Sequence, residues 1–249
     1  KRLKDEVDFA AKAIKKQLSG THAHTAGTEI VFGNRGELKI NTDGADINLT
    51  GKIDRVDIAV NEKGEHFLRV VDYKTGDRDY SLSEVFYGVS IQLVVYLMAA
   101  LKIYEGSIPV GGFYFHIDLP FSKYSSEERF KDMRMKGFML DDKDAVLLFD
   151  ATDEKGTLIS MDKSFKSRTG LYEKADIEVL MNYVRRLIAS SVKEIFSGKI
   201  DISPTEISGR LYCEMCDYYP ICRFDESYSG NTIRRLNTVD GIDKLTEEK

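Results

Sequence analysis

Three short stretches between Gly51 and Tyr96 carry the residue types of a hydrolytic site: Gly-Lys-Ile-Asp54-Arg, then Val-Val-Asp72-Tyr-Lys74, then Gln92-Leu-Val-Val-Tyr96. Two carboxylates and a lysine in this order suit metal-assisted attack on a phosphodiester. That reaction needs a hard cation to neutralise phosphate oxygens and to supply hydroxide at neutral pH. Carboxylate oxygens select Mg²⁺ or Mn²⁺. Asp54 and Asp72 are therefore the expected metal ligands, with the backbone carbonyl of Tyr73 as a third oxygen. Lys74, a compact cation, is expected to orient the attacking water or to stabilise the charge of the transition state. The protein would contribute geometry and charge rather than a covalent nucleophile.

The elements that must position these groups follow from periodicity. Asp54 ends an apolar–polar alternation, and Asp72 and Lys74 end another, Phe67-Leu-Arg-Val-Val-Asp-Tyr-Lys. A hairpin of two such strands, turned at Asn61-Glu-Lys-Gly64, brings both ends to one edge. Asp72 and Lys74, two apart, share a strand face. Gln92 and Tyr96 are one helical turn apart and share a helix face. That helix is expected to begin at Leu82 or Ser83, N-capped by Ser81 or Ser83, with Val85, Val89, Leu93, Leu97 and Ala100 as its apolar stripe.

Elsewhere the pattern predicts an N-terminal amphipathic helix over residues 5–18, a loop at 20–27, and short strands at 28–32 and 37–40. A strand pair is expected over 47–60 and 66–73, a buried strand over 110–117, helical and charged chain beyond Ser125, and a long helix over 171–197. On that last helix Ile177, Leu180, Val184, Leu187, Ile188, Ser191 and Ile195 mark the packing side.

An Asp-x-Lys alone is commonly a solvated strand end with a surface ion pair. The ordered combination says more, and with it the chain resembles the RecB-type PD-(D/E)xK nucleases, in particular the C-terminal nuclease domains of the AddB type. Glu84-Val-Phe-Tyr-Gly88, Gln92 to Tyr96, Gly112-Phe-Tyr-Phe-His-Ile117, Met135-Lys-Gly-Phe-Met-Leu140 and the tail from Cys213 to Asp225 carry the likeness over roughly residues 28 to 226. The resemblance implies an α/β, restriction-endonuclease-like core, a mixed sheet flanked by helices, with a C-terminal helical region and a cysteine tail. It implies divisions at 1–27, 28–208 and 209–249. It also implies a Mg²⁺-dependent deoxyribonuclease of a helicase–nuclease that processes DNA ends in double-strand break repair. Asp54, Asp72, Lys74, Gln92 and Tyr96 would be its catalytic residues. Its partners would be DNA, delivered as a single strand, and an AddA-like helicase–nuclease subunit. A Cas4-like stand-alone exonuclease and a catalytically inactive domain of the same fold are the alternatives. An upstream acidic residue often lies near the metal in this superfamily, and Glu29 is the candidate. The histidine that RecB-type nucleases carry before the core has no counterpart in matching context, since Thr21-His22-Ala-His24 reads as a loop.

Three cysteines spaced Cys213-x2-Cys216-x5-Cys222 are too few and too bunched for a secreted disulfide framework. Thiolates at this spacing suit zinc or a [4Fe-4S] cluster, both of which take four ligands. The resemblance implies the iron–sulfur cluster, stapling the tail to a cysteine upstream of the nuclease core. This chain holds no fourth cysteine, so the expected ligand lies outside it, or His22 or His24 completes the site, or the three cysteines stay reduced with no metal.

A chain of 249 residues, 42% of them hydrophobic, can bury one sizeable α/β core. No run is apolar and long enough to cross a membrane, and a cytoplasmic location is expected. The net charge of −5 argues against a freestanding DNA-binding domain, which displaces counterions with Lys and Arg. Any phosphate contact must then come from local clusters. The candidates are Lys131, Arg134 and Lys136, then Lys163, Lys166 and Arg168, then Arg185 and Arg186.

Overall fold

The computed structural model describes residues 2–42, 46–76, 79–117, 135–151 and 170–247. Its centre is a six-stranded sheet of β1 (His24–Phe32), β4 (Gly51–Val60), β5 (His66–Lys74), β6 (Ile108–His116), β7 (Lys136–Leu140) and β8 (Leu171–Tyr172), in that spatial order. The pairs β1/β4, β4/β5 and β6/β7 are antiparallel, whereas β5/β6 and β7/β8 are parallel. A parallel pair needs a crossover. For β5/β6 it is supplied by α2 (Leu82–Phe86) and α3 (Gln92–Ile103). The remaining short strands β2 (Lys39–Asn41) and β3 (Asp46–Asn48) form a separate hairpin.

Strands β4, β5 and β6 are covered on both faces, so their alternate side chains enter two different cores. On one face lie Val56, Val70 and Gly112 beneath α3, whose Leu93, Val94 and Leu97 are buried. Gly112 packs closely there: a Cβ would sit 3.1 Å from both the Leu93 Cβ and the Phe138 ring, so these neighbours would have to give by a few tenths of an ångström. Outside α3 packs α5 (Lys174–Phe196), with Ile177, Leu180, Val184 and Ile188 buried. The other face is covered by α1 (Arg2–Ser19), through Phe9, Ala10 and Ala13, and by α4 (Lys143–Phe149).

This second face also buries charge. Arg55, Asp57 and Arg69 are all within 2% of complete burial. Asp57 Oδ2 lies 3.1 Å from Arg55 and 2.9 Å from Arg69, and the Arg69 guanidinium lies 4.8 Å from the Phe149 ring centre. Burial lowers the Arg69 pKa, and the carboxylates of Asp57 and Asp150 oppose that shift. Arg55 also donates to the Tyr73 hydroxyl at 3.0 Å, which ties the strands together behind the site described below.

Several elements differ from the sequence-based expectation. The first strand begins at His24, inside the stretch expected to be a loop, because it pairs as far along β4 as Ile58. The helix expected to run from Leu82 or Ser83 through Gln92 is two helices. Gly88 takes φ +74°, and the Glu84 carbonyl accepts the N–H groups of both Val89 and Ser90, ending α2. Val89 therefore lies in the break and is half-buried, while Val85, Leu93, Leu97 and Ala100 face the core. Ser81 is the N-cap of α2, accepting from Glu84 N at 3.4 Å. Beyond Ser125 the described chain includes the strand β7, since the apolar run Phe138-Met-Leu140 pairs with β6. Ile195, expected on the packed side of α5, is 70% exposed because the helix outruns the surface that covers it.

Phe9, Ala10 and Ala13 of the N-terminal helix are buried with the core, and Gln17 reaches Arg55. The division expected between residues 208 and 209 falls inside a small sheet of β10 (Arg210–Leu211), β9 (Thr205–Ile207) and β11 (Arg234–Leu236). Two further short helices, α6 (Tyr219–Cys222) and α7 (Lys244–Glu247), complete the C-terminal segment. No helix among the described residues is long and apolar enough to cross a membrane.

Candidate active site

The site is built at a fork. The β4/β5 ladder ends at the pair Arg55↔Val71, after which β4 continues against β1 alone, through Ile53, Lys52 and Gly51. One step beyond the last rung stand Asp54 and Asp72, on the sheet face that carries α3. Where a further ladder bond would have formed, Asp54 Oδ2 accepts the Tyr73 backbone N–H at 2.8 Å. The N–H and C=O of one strand residue point to the same edge, so the Tyr73 carbonyl faces this gap too.

Asp72 is 3% exposed, and its Oδ2 lies 2.6 Å from Lys74 Nζ. Lys74 donates to Gln92 Oε1 at 2.9 Å, and Gln92 Nε2 donates to the Tyr96 hydroxyl at 2.9 Å. The first turn of α3 thus lies over the sheet edge. Beneath Lys74, the Tyr114 ring centre is 5.5 Å from Nζ, and the Tyr114 hydroxyl is 3.3 Å from Ser90 Oγ. Burial raises the Tyr96 pKa; the Gln92 hydrogen bond opposes this, and the charges of Asp72 and Asp54 reinforce it. The phenol is a neutral hydrogen-bonding group facing both carboxylates. Its ring meets Phe32 edge-on at 6.0 Å.

The structure therefore brings Asp54, Asp72, Lys74, Gln92 and Tyr96 to one place. It also adds residues that sequence reasoning missed. Lys52 shares the strand face of Asp54 and pairs with Glu29; that carboxylate, and more weakly Asp54, hold it in its charged form. A lysine two residues before an acidic candidate was legible as a face-mate. Tyr114 and His116, opposite Asp72 and Lys74 on β6, were not, because no local pattern gives a parallel register. Glu29 lies across from Asp54 between the rungs Thr28↔Arg55 and Ile30↔Ile53, but its carboxylate is taken by Lys52 and its backbone turns left-handed at φ +54°.

The donor set at the fork is all oxygen: two carboxylates and a carbonyl. Among the described residues no three His, Cys, Asp or Glu side chains converge as a closed metal site. A Mg²⁺-type site needs only one or two carboxylates when substrate phosphate and water complete the shell, so the fork fits such an ion.

Other candidates separate from this centre. Arg185 donates to Met98 Sδ, and Arg186 donates to the Leu245 carbonyl and lies over Tyr183, so both serve packing. Lys136 pairs with Asp79. Lys131, Arg134, Lys163, Lys166 and Arg168 lie outside the described residues. His24 opens β1 opposite Ile58, four residues along β4 from Asp54 and so at the other end of the strand. His22 N donates to the Leu148 carbonyl. Cys213 is half-buried, and Cys216 and Cys222 are exposed, all three as free thiols. Burial pushes the Cys213 thiol up, and Cys216 and Cys222 add to the shift.

Curated relatives named as a subunit of an ATP-dependent helicase/deoxyribonuclease include that of Clostridium kluyveri, 36% identical over 88% of this chain and 21% of the relative. That of Clostridium tetani is 33% identical over 95% of this chain and 22% of the relative. That of Geobacillus kaustophilus is 30% identical over the whole chain and 24% of the relative. The chain thus spans about a fifth of the length of the relatives it matches. The profile of the PD-(D/E)XK nuclease superfamily matches residues 1–223, a span that takes in the forked strands, both carboxylates, Lys74 and the helix above them. By that match this chain belongs to the PD-(D/E)XK nuclease superfamily.

Proposed function

We propose that this chain is the metal-dependent DNA nuclease module of a longer helicase–nuclease polypeptide. The observation that carries the reading is the seat of Asp54 on the Tyr73 N–H, which sets one carboxylate beside Asp72 and Lys74 at the mouth of the fork. PD-(D/E)XK nucleases generally depend on a divalent metal. Asp54, Asp72 and the Tyr73 carbonyl would hold Mg²⁺ or Mn²⁺. Such an ion supplies Lewis-acid stabilisation of the phosphate and a water acidic enough to ionise near neutrality. Lys74 places a positive charge beside the metal-facing carboxylate, where a scissile phosphate would present its oxygens. Gln92 fixes Lys74 in that position by accepting one of its three N–H groups, and Tyr96 holds Gln92.

The acidic balance of the chain suits a module to which a motor delivers the strand, since its own surface gives little general attraction for phosphate. The relatives' name supports DNA as substrate and a partner helicase subunit. On this reading the strand arrives single, and the work is done at DNA ends during double-strand break repair in the cytoplasm. Cys213, Cys216 and Cys222 would supply three ligands of a [4Fe-4S] cluster, with the fourth elsewhere in the longer polypeptide. The test is cleavage of end-labelled single-stranded DNA by the full-length protein in its assembly, with any nuclease of the partner silenced. Cleavage restored by Mg²⁺ after chelation supports the reading. Cleavage that ignores chelation overturns it.

A further inference from the structure

A five-residue helix has too few internal hydrogen bonds to hold itself in water, yet α2 stands directly before the turn that delivers Ser90 and Gln92 to the site. Its position depends on what grips it, and much of the grip comes from the C-terminal segment. Glu84, 7% exposed, accepts the Tyr212 hydroxyl through its carboxylate at 2.6 Å, and Arg210 lies 3.7 Å away. Val239 N donates to Ser83 Oγ at 2.8 Å, and the Tyr87 hydroxyl donates to the Asn237 carbonyl at 3.1 Å. From Glu84 the contacts run inward. Its backbone carbonyl takes the N–H groups of Val89 at 2.8 Å and Ser90 at 3.1 Å. Ser90 meets Tyr114 under Lys74, and two residues further Gln92 meets Lys74 itself.

We infer that Glu84 is a positioning residue of the active site, anchored by Tyr212 so that docking of the cysteine tail sets the placement of Gln92 and Lys74. Tyr212 is the immediate neighbour of Cys213, so an event that reorganises the tail reaches the fork through one carboxylate. The inference rests on the site reading given above. Its physical content is that a buried carboxylate with a hydroxyl partner is costly to strand, which makes the docked arrangement of tail and α2 strongly preferred.

The test uses Tyr212→Phe, Glu84→Ala and Glu84→Gln in the full-length protein within its assembly, read by single-turnover cleavage and by amide hydrogen exchange. Tyr212→Phe and Glu84→Ala should speed exchange at Val89, Ser90 and Val95 about tenfold, the size of one lost hydrogen bond to a charged group. They should lower the single-turnover rate at saturating DNA by about ten- to a hundredfold, with the half-saturating DNA concentration unchanged, as slight misplacement of a catalytic group does. Glu84→Gln keeps an acceptor for Tyr212 and should restore both readouts. Wild-type exchange at these amides in Tyr212→Phe and Glu84→Ala overturns the coupling. Altered exchange alongside wild-type cleavage by a Lys74→Ala control overturns instead the site reading, and with it the catalytic purpose assigned to Glu84.

Discussion

Asp54 and Tyr73 meet where two strands part: the Asp54 carboxylate accepts the Tyr73 N–H at 2.8 Å, in place of the next ladder bond. The contact gives Asp54 two duties, to terminate the ladder and to present its other oxygen to the site. The two separate by substitution. Asp54→Asn retains an acceptor for Tyr73 and should lose cleavage while keeping stability. Asp54→Ala should lose cleavage and also about 1–2 kcal/mol of stability, the cost of a part-buried N–H left without its partner. Urea unfolding beside cleavage rates distinguishes them.

The strands behind the fork are held by buried charge. Asp57 is the shared counter-ion of Arg55 and Arg69. Asp57→Ala leaves two buried guanidinium groups short of compensation and should cost about 3–5 kcal/mol. Equilibrium denaturation measures this directly, and a loss below about 1 kcal/mol would mean that Asp150 or water neutralises the cluster unaided.

Much of the site was legible because its parts are local. Asp72 and Lys74 share a face by parity, and Gln92 and Tyr96 share one by helical spacing. What joins the two pairs is the Lys74–Gln92 bond, and no periodicity encodes that. The break at Gly88 was missed because the apolar spacing of Val85, Val89 and Leu93 continues across it; a glycine free to take φ +74° overrides that pattern. Arg55, Asp57 and Arg69 look in sequence like the solvated face of a strand, and only cover by α1 and α4 makes them interior. Likewise Tyr212 and Glu84 are 128 residues apart, and nothing near either one announces the other.

The helix over the site offers a control within itself. Gln92→Ala should lower cleavage by more than it lowers stability, because Gln92 is partly exposed and its bonds go to Lys74 and Tyr96. Leu97→Ala, at a fully buried position, should do the reverse and cost about 2–5 kcal/mol through the cavity it leaves. Thermal melts paired with rates per folded molecule separate the two.

Alkaline stability should report the Tyr80–Tyr172 pair, whose hydroxyls are 3.1 Å apart. Burial raises the Tyr80 phenol well above its ordinary 10.0, so the fold favours its protonated form. That stabilisation is fully present below pH 10.0 and is lost as pH rises above it. Tyr80→Phe should start from lower stability, lacking the hydrogen bond, and decline less steeply above pH 10.0. Denaturant midpoints across that range are the measurement.

The most direct test of the account is single-turnover cleavage of labelled single-stranded DNA by Asp72→Ala and Lys74→Ala in the complete assembly, with any partner nuclease silenced. Circular dichroism melts should confirm folded protein. Each substitution should lower the rate at least a hundredfold, the loss of about 3 kcal/mol or more of transition-state stabilisation. Wild-type rates in either folded variant would contradict the assignment of Asp72 and Lys74 to the active site.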